Sequence, residues 1–173
     1  MTATPAAHHR RGAGLVGVHP YQLGYVTTDL DEAIDGYART LGGVDFSISD
    51  RTLRPRLRHV DSSLRVRFGL GFVGDVMVEL IEPVSGETGF YADLLPPSGF
   101  GIALHHFGYL LDPRADWGAF RAAVDEERVA FELSGDPNVV YLDTRAELGH
   151  YVEYLHFTPD VRDAWLARIP RNG

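Results

Sequence analysis

Cysteine is absent from the 173 residues, and that gap removes disulfide staples, thiolate metal ligands and cysteine nucleophiles together. A reducing compartment fits, and the cytoplasm is the expected address. Long apolar runs are missing as well: none approaches the roughly 18 residues that a membrane-spanning helix needs. Residues 1–18 hold Ala, Gly, His8-His9 and Arg10-Arg11 but no apolar h-region, so they read as a flexible leader and not as a secretory signal. Positive charge is scarce too, with 16 Lys and Arg against 24 Asp and Glu and a net charge of −8. No stretch makes a basic face of duplex size, which argues against nucleic acid as a partner.

What remains is an ordinary globular composition, 45% apolar and 23% charged, in a chain long enough for one domain with a real core. Tyr21 to Thr27 is β-rich, and Leu30, Ala33, Ile34, Tyr37 and Leu41 follow at helical spacing. Asp29 with Glu32 marks the helix start, and Gly42-Gly43 its stop. Phe46–Ser49, Leu64–Leu70 and Val76–Ile81 read as three further strands. The first module, residues 19–83, is therefore β-α-β-β-β.

A connector over 84–101, rich in Gly, Pro and Ser, carries a helical turn around Tyr91 to Leu95. The order then begins again over 102–157. Leu104–Leu111 is a strand, Asp112-Pro113 reads as an N-cap and first-turn pair, and Trp117, Phe120 and Val124 mark a second helix. Val129–Leu133, Val139–Leu142 and Tyr151–Phe157 supply three more strands. Residues 158–173 read as a capped helix with Val161, Trp165 and Ile169, packed on the outside.

The repeat is visible in residues as well as in elements. Gln22-Leu23-Gly24-Tyr25-Val26 opens the first module, and His106-Phe107-Gly108-Tyr109-Leu110 opens the second 84 positions later. Val78-Glu79-Leu80 closes the first, and Val152-Glu153-Tyr154 closes the second 74 positions later. The fold class is accordingly α+β, with two β-α-β-β-β modules forming a cupped mixed sheet and helices outside.

Strand alternation puts Gln22 with Gly24 and His106 with Gly108, on the faces turned away from the helices. Glu79 falls with Met77 and Ile81, and Glu153 with Tyr151 and Leu155. A carboxylate in so apolar a strand faces water, binds arginine or pairs with a divalent cation. Four polar residues at equivalent places in a duplicated unit favour the cation. By the same alternation His105 points to the opposite face as a packed core histidine, and His150 and His156 are out of phase with Glu153.

The two openings, with Gly101-Ile102-Ala103-Leu104-His105-His106 leading into the second, and the closings Val78-Glu79-Leu80-Ile81-Glu82-Pro83 and Gly149-His150-Tyr151-Val152-Glu153 resemble the vicinal oxygen chelate superfamily. That superfamily includes glyoxalase I, methylmalonyl-CoA epimerase, extradiol dioxygenases and bleomycin-resistance proteins. The likeness spans Tyr21 to Phe157. It implies one metal ligand from each opening and closing strand, here Gln22, Glu79, His106 and Glu153. Gln22 departs from the commoner histidine, and Gln-Glu-His-Glu is similar to one branch of glyoxalase I. Three oxygens and an imidazole suit Zn, Ni, Co or Mn.

The chemistry so implied is isomerase or epimerase proton transfer next to a carbonyl through an enediolate, with Glu153 as base and Glu79 as its partner. A lyase at the same centre is an alternative, as is a metal-free small-molecule-binding or resistance protein. An extradiol dioxygenase would need a second histidine where Gln22 stands. The substrate is a small molecule. Arg51, Arg54, Arg56, Arg58, Arg65 and Arg67 crowd the first-module hairpin, where they either hold an anionic group or face solvent. A homodimer is compatible with the superfamily resemblance.

Overall fold

The structure is a computed structural model, and it describes residues 20–172. The leader, with His8-His9 and Arg10-Arg11, lies outside the described residues. The chain begins with β1 (Pro20–Thr27) and α1 (Leu30–Leu41), then runs through β2 (Ser47–Leu53), the short β3 (Arg56–Leu57) and β4 (Val60–Asp61), and the long β5 (Leu64–Val73) and β6 (Val76–Gly86). After α2 (Gly89–Ala92) come β7 (Ile102–Leu110), α3 (Trp117–Ala123), β8 (Val129–Leu133), β9 (Asn138–Leu142), α4 (Arg145–Leu148) and β10 (Tyr151–His156). The described chain ends with α5 (Pro159–Leu166) and β11 (Arg171–Asn172).

All strands join one curled mixed sheet, in which β5, β6, β1, β7, β10, β9 and β8 lie side by side and β2 flanks β5. The centre is the antiparallel β1–β7 pair, so the two modules meet through their equivalent first strands. On each side the closing strand runs parallel to the opening one, β6 beside β1 and β10 beside β7. The chain leaving β2 at the β5 edge continues into β3, which pairs with β8 at the opposite edge and so bridges the two rims of the cup. The β3–β4 turn places Arg58 and His59 at φ of 45° and 70°, the type I′ twist that a two-residue hairpin favours.

The helices stand outside the curled sheet. Leu30, Ala33, Ile34 and Tyr37 of α1 pack on Val78, Leu80 and Tyr25 of the convex face. Trp117, Phe120 and Val124 do the same over Tyr109, Val140 and Tyr154. The α1 start is as expected, with the Asp29 side chain accepting from the Glu32 N–H at 2.9 Å. The α3 start is not at Asp112-Pro113. Helix α3 opens at Trp117, where the Asp116 carboxylate accepts from the Ala119 N–H at 3.0 Å, while Asp112 turns back to cap the Arg114 N–H.

Strand β6 runs past the expected end at Ile81 to Gly86. It tolerates Pro83 because the β5 pairing steps from Val66–Pro83 to Arg65–Ser85, which leaves Val84 as a bulge beside the residue without an N–H. Helix α5 stands at the mouth of the cup. Its Trp165 stacks on Phe157 at 4.7 Å and meets Tyr21 edge-on at 6.4 Å, and β11 then pairs with Phe72 and Val73 of β5, past the end of β2. No helix among the described residues is long and apolar enough to cross a membrane.

Candidate functional site

The register of four adjacent strands explains how the polar residues meet. Across β6, β1 and β7, Glu79, Gly24 and His106 are direct neighbours in one row. In the next row Gln22 of β1, Gly108 of β7 and Glu153 of β10 are neighbours. Each row has a glycine in its middle, and the related glycine of the other module lies in the other row. With strands about 4.8 Å apart, long side chains bend over these bare positions from both sides.

A Cβ placed on Gly24 would fall within the His106 imidazole ring. One placed on Gly108 would lie 2.9 Å from Gln22 Oε1 and 3.1 Å from Glu153 Oε2. The sequence signal was the pair Gln-Leu-Gly and His-Phe-Gly at equivalent positions, but its meaning needs the register.

Of the four residues singled out from the sequence, Glu79, His106 and Glu153 converge, and Gln22 lies beside Glu153 over Gly108. Gln22, His106 and Glu153 are buried and Glu79 nearly so. His106 Nε2 lies 3.3 Å from Glu79 Oε2 and 3.2 Å from Glu153 Oε2. None of these three atoms has a hydrogen-bond partner among the described residues. A buried carboxylate without a facing positive charge costs several kcal/mol, and here two of them converge on one ring nitrogen.

The three ligand atoms lie within 4.8 Å of one another, and the Gln22 amide oxygen stands beside Glu153 over Gly108. One imidazole nitrogen with carboxylate and amide oxygens is a donor set that fits a borderline or hard divalent cation. The observation carrying that fit is the convergence of three orphaned polar atoms.

The local electrostatics agree. Burial raises the Glu79 pKa; the facing His106 pulls against this and the like charge of Glu153 adds to it. Burial opposes a charged His106, yet the Glu153 and Glu79 carboxylates outweigh it and lift that pKa to about 9. In effect the carboxylates demand a positive charge between them.

Aromatic groups that the sequence did not mark complete the site. Tyr141 is the cross-strand neighbour of Glu153, with its ring 5.0 Å from that of His106. Burial first, and then the Glu153 charge, keep its phenol protonated well above the ordinary range. Tyr21 donates its hydroxyl to Gln22 Oε1 at 2.9 Å. Tyr91 reaches in from α2. Glu79 and Glu153 face a cavity of about 390 Å³, while His106 and Gln22 lie behind them.

His105 does not lie on the opposite face. Along the β1–β7 ladder Gly24 pairs with His106 but Tyr25 pairs with Leu104, so His105 is an extra residue, a bulge. It turns inward beside His106, fully buried, with its ring stacked 4.7 Å from Tyr151. A second register shift makes Tyr21 the extra residue before Gln22. Both modules therefore bulge one residue before the inward-pointing polar group.

The arginine-rich hairpin divides by face. Arg65 pairs with Asp50, and Arg67 with Asp31 and Glu82, on the outer side. Arg58 binds Asp143 at 2.8 Å and Arg56 approaches Asp61 at 3.8 Å. Arg51 sits opposite Val66, shares its inner face and lines the cavity, with no ion pair among the described residues. His150 stacks on Phe107 and His156 on Trp117, both away from the cluster.

A sequence profile described as the Glyoxalase/Bleomycin resistance protein/Dioxygenase superfamily matches residues 21–145. No curated protein sequence matches the chain. Among solved structures, methylmalonyl-CoA epimerase from Mycobacterium tuberculosis is similar, with a TM-score of 0.52 at 15% identity over 82% of this chain and 89% of that one. A methylmalonyl-CoA epimerase in complex with methylmalonyl-CoA and NH4+ gives a TM-score of 0.50 at 19% identity, over 82% of this chain and 96% of the other.

Proposed function

The chain belongs to the Glyoxalase/Bleomycin resistance protein/Dioxygenase superfamily, and from that premise we propose that it is a divalent-metal-dependent isomerase or epimerase that moves a proton on a carbon next to a carbonyl. The single observation that carries this reading is the buried convergence of Glu79 Oε2, His106 Nε2 and Glu153 Oε2, none of them hydrogen-bonded, with the two carboxylates facing a cavity. Gln22, Glu79, His106 and Glu153 would hold the cation, which supplies Lewis acidity toward the oxygens of a bound substrate.

The residues of this chain do the rest. Glu153 takes the proton from the substrate carbon, and Glu79, on the other module's strand, returns one from the far side. The two carboxylates come from different modules and meet at His106 Nε2, 3.3 Å from Glu79 and 3.2 Å from Glu153, so both lie within reach of one bound substrate. The Tyr141 hydroxyl, kept protonated, is a donor beside Glu153.

The apolar walls, with Phe68, Phe131, Phe157 and Trp165, exclude water from the reacting carbon. Arg51 at the same cavity would hold an anionic group of the substrate by a charge-assisted hydrogen bond. The small volume favours a compact oxo acid or acyl head, with any longer carrier left outside.

Those same aromatic walls favour a second reading, metal-free sequestration of an apolar small molecule. The two separate in one experiment: incubate the metal-loaded protein in deuterium oxide with small 2-oxo and 2-substituted 3-oxo acids, and follow exchange at the carbon beside the carbonyl. Exchange that disappears in Glu153→Gln supports proton transfer. Tight binding without exchange or metal supports sequestration.

A further inference from the structure

We infer that His105 is a positioning residue which fixes a proton on Nδ1 of His106, so that Nε2 is the nitrogen left free to join Glu79 and Glu153 in holding a cation. Three groups form a chain behind the His106 ring. Nε2 of His105 lies 3.1 Å from the Phe90 carbonyl oxygen, and Nδ1 of His105 lies 3.1 Å from Nδ1 of His106.

A carbonyl oxygen only accepts, so the His105 Nε2 must carry hydrogen. A neutral imidazole carries one such hydrogen, which leaves His105 Nδ1 bare and accepting. The single hydrogen between the two rings then belongs to His106 Nδ1. An imidazolium at position 105 would reverse the second bond, but that ring is fully buried among the rings of Phe90, Tyr91 and Tyr151, where an unpaired charge is costly.

The bulge makes this contact possible. Strict alternation would send the side chains of positions 105 and 106 to opposite faces, and the extra residue turns both inward. Phe90 belongs to α2 in the connector between the modules, so the polypeptide linking the two halves anchors the relay. The first module repeats the device with other chemistry: the Tyr21 hydroxyl, on the equivalent bulge, holds the Gln22 amide oxygen at 2.9 Å. In each half the bulged residue orients the polar group that follows it. A ring held this way has its nitrogen pre-aimed, and loss of such a support typically weakens metal binding by about 10- to 100-fold.

The consequence for affinity rests on the metal reading above, whereas the proton position can be read without any metal. Nitrogen-15 NMR of histidine rings in the metal-free and the zinc-loaded full chain should show His106 protonated at Nδ1 in both, and His105 protonated at Nε2 only. A bare Nδ1 on His106 overturns the relay whatever the metal result.

Calorimetric zinc titration of two variants then separates positioning from packing. His105→Gln keeps a donor for Phe90 and an acceptor for His106 and should bind zinc within about threefold of wild type, while His105→Phe fills the space with neither and should lose about 10- to 100-fold. Equal affinities of His105→Phe and wild type, or equal losses in both variants, contradict the relay. A wild type that takes up no zinc while showing the predicted protons supports the relay and counts against the metal reading.

Discussion

Gly24 faces His106 directly across the β1–β7 ladder, and the imidazole ring occupies the space where a side chain at position 24 would begin. Gly24→Ala must therefore displace the ring of a fully buried residue, an overpacking that costs about 1–3 kcal/mol and moves Nε2 off the two carboxylates. At Gly108 the added methyl meets Gln22 Cβ and Oε1 at 2.9 Å and Glu153 Oε2 at 3.1 Å, a milder overlap that small shifts of those side chains relieve. Thermal unfolding and zinc titration should rank the variants, with binding abolished in Gly24→Ala and weakened but measurable in Gly108→Ala.

Arg51 is the hairpin arginine that lines the cavity, where the proposed function gives it an anionic group to hold. Arg51→Ala should raise KM for an anionic substrate about tenfold, as loss of one charge-assisted hydrogen bond implies, with kcat nearly unchanged and with no effect on a neutral ester of the same substrate. A matching loss for acid and ester would remove Arg51 from recognition.

Trp165 provides a direct reporter. The chain has two tryptophans; Trp165 lines the cavity, and Trp117 packs on the outer face. A small molecule entering the cup should alter fluorescence in wild type and in Trp117→Phe, and leave Trp165→Phe silent. The last variant should also lose about 1–2 kcal/mol through poorer packing on Phe157 and Tyr21.

Asp143 links the bridging hairpin to the second module, accepting from Arg145 at 2.7 Å and from Arg58 at 2.8 Å. Hydrogen bonds from Arg145, and then from Arg58, hold its carboxyl well below the usual carboxylate range. A depressed native value means stability that is present above the unfolded pKa of about 3.9 and is lost as pH falls through the native value. Asp143→Asn should unfold more easily than wild type at pH 7, by about 1 kcal/mol. Denaturant titrations below pH 4 should show that gap closing. A gap independent of pH would assign the loss to packing.

The duplicated architecture was legible because it rests on local pattern: alternation in the strands, helical spacing after Asp29, and two like openings in the same order as two like closings. The convergence of Glu79, His106 and Glu153 was legible for the same reason, since each sits at a repeat-equivalent place. His105 was misplaced because a bulge breaks the two-residue period, and only the partner strand's register reveals it. Sequence alone does not fix the α3 start, because Asp112 and Asp116 are both competent caps and the chain uses both, one for a turn and one for the helix. Trp165 and Tyr141 reach the site through contacts distant in sequence, which no periodicity encodes.

Whether Gln22, Glu79, His106 and Glu153 hold one divalent cation is decided by elemental analysis of the chain purified without a histidine tag. The predicted result is one Zn, Ni, Co or Mn per chain in wild type and a loss of that metal in Glu79→Gln combined with Glu153→Gln, with the double variant still folded by circular dichroism. A wild type that stays metal-free after incubation with each of these ions, or a double variant that keeps its full equivalent, would contradict the claim.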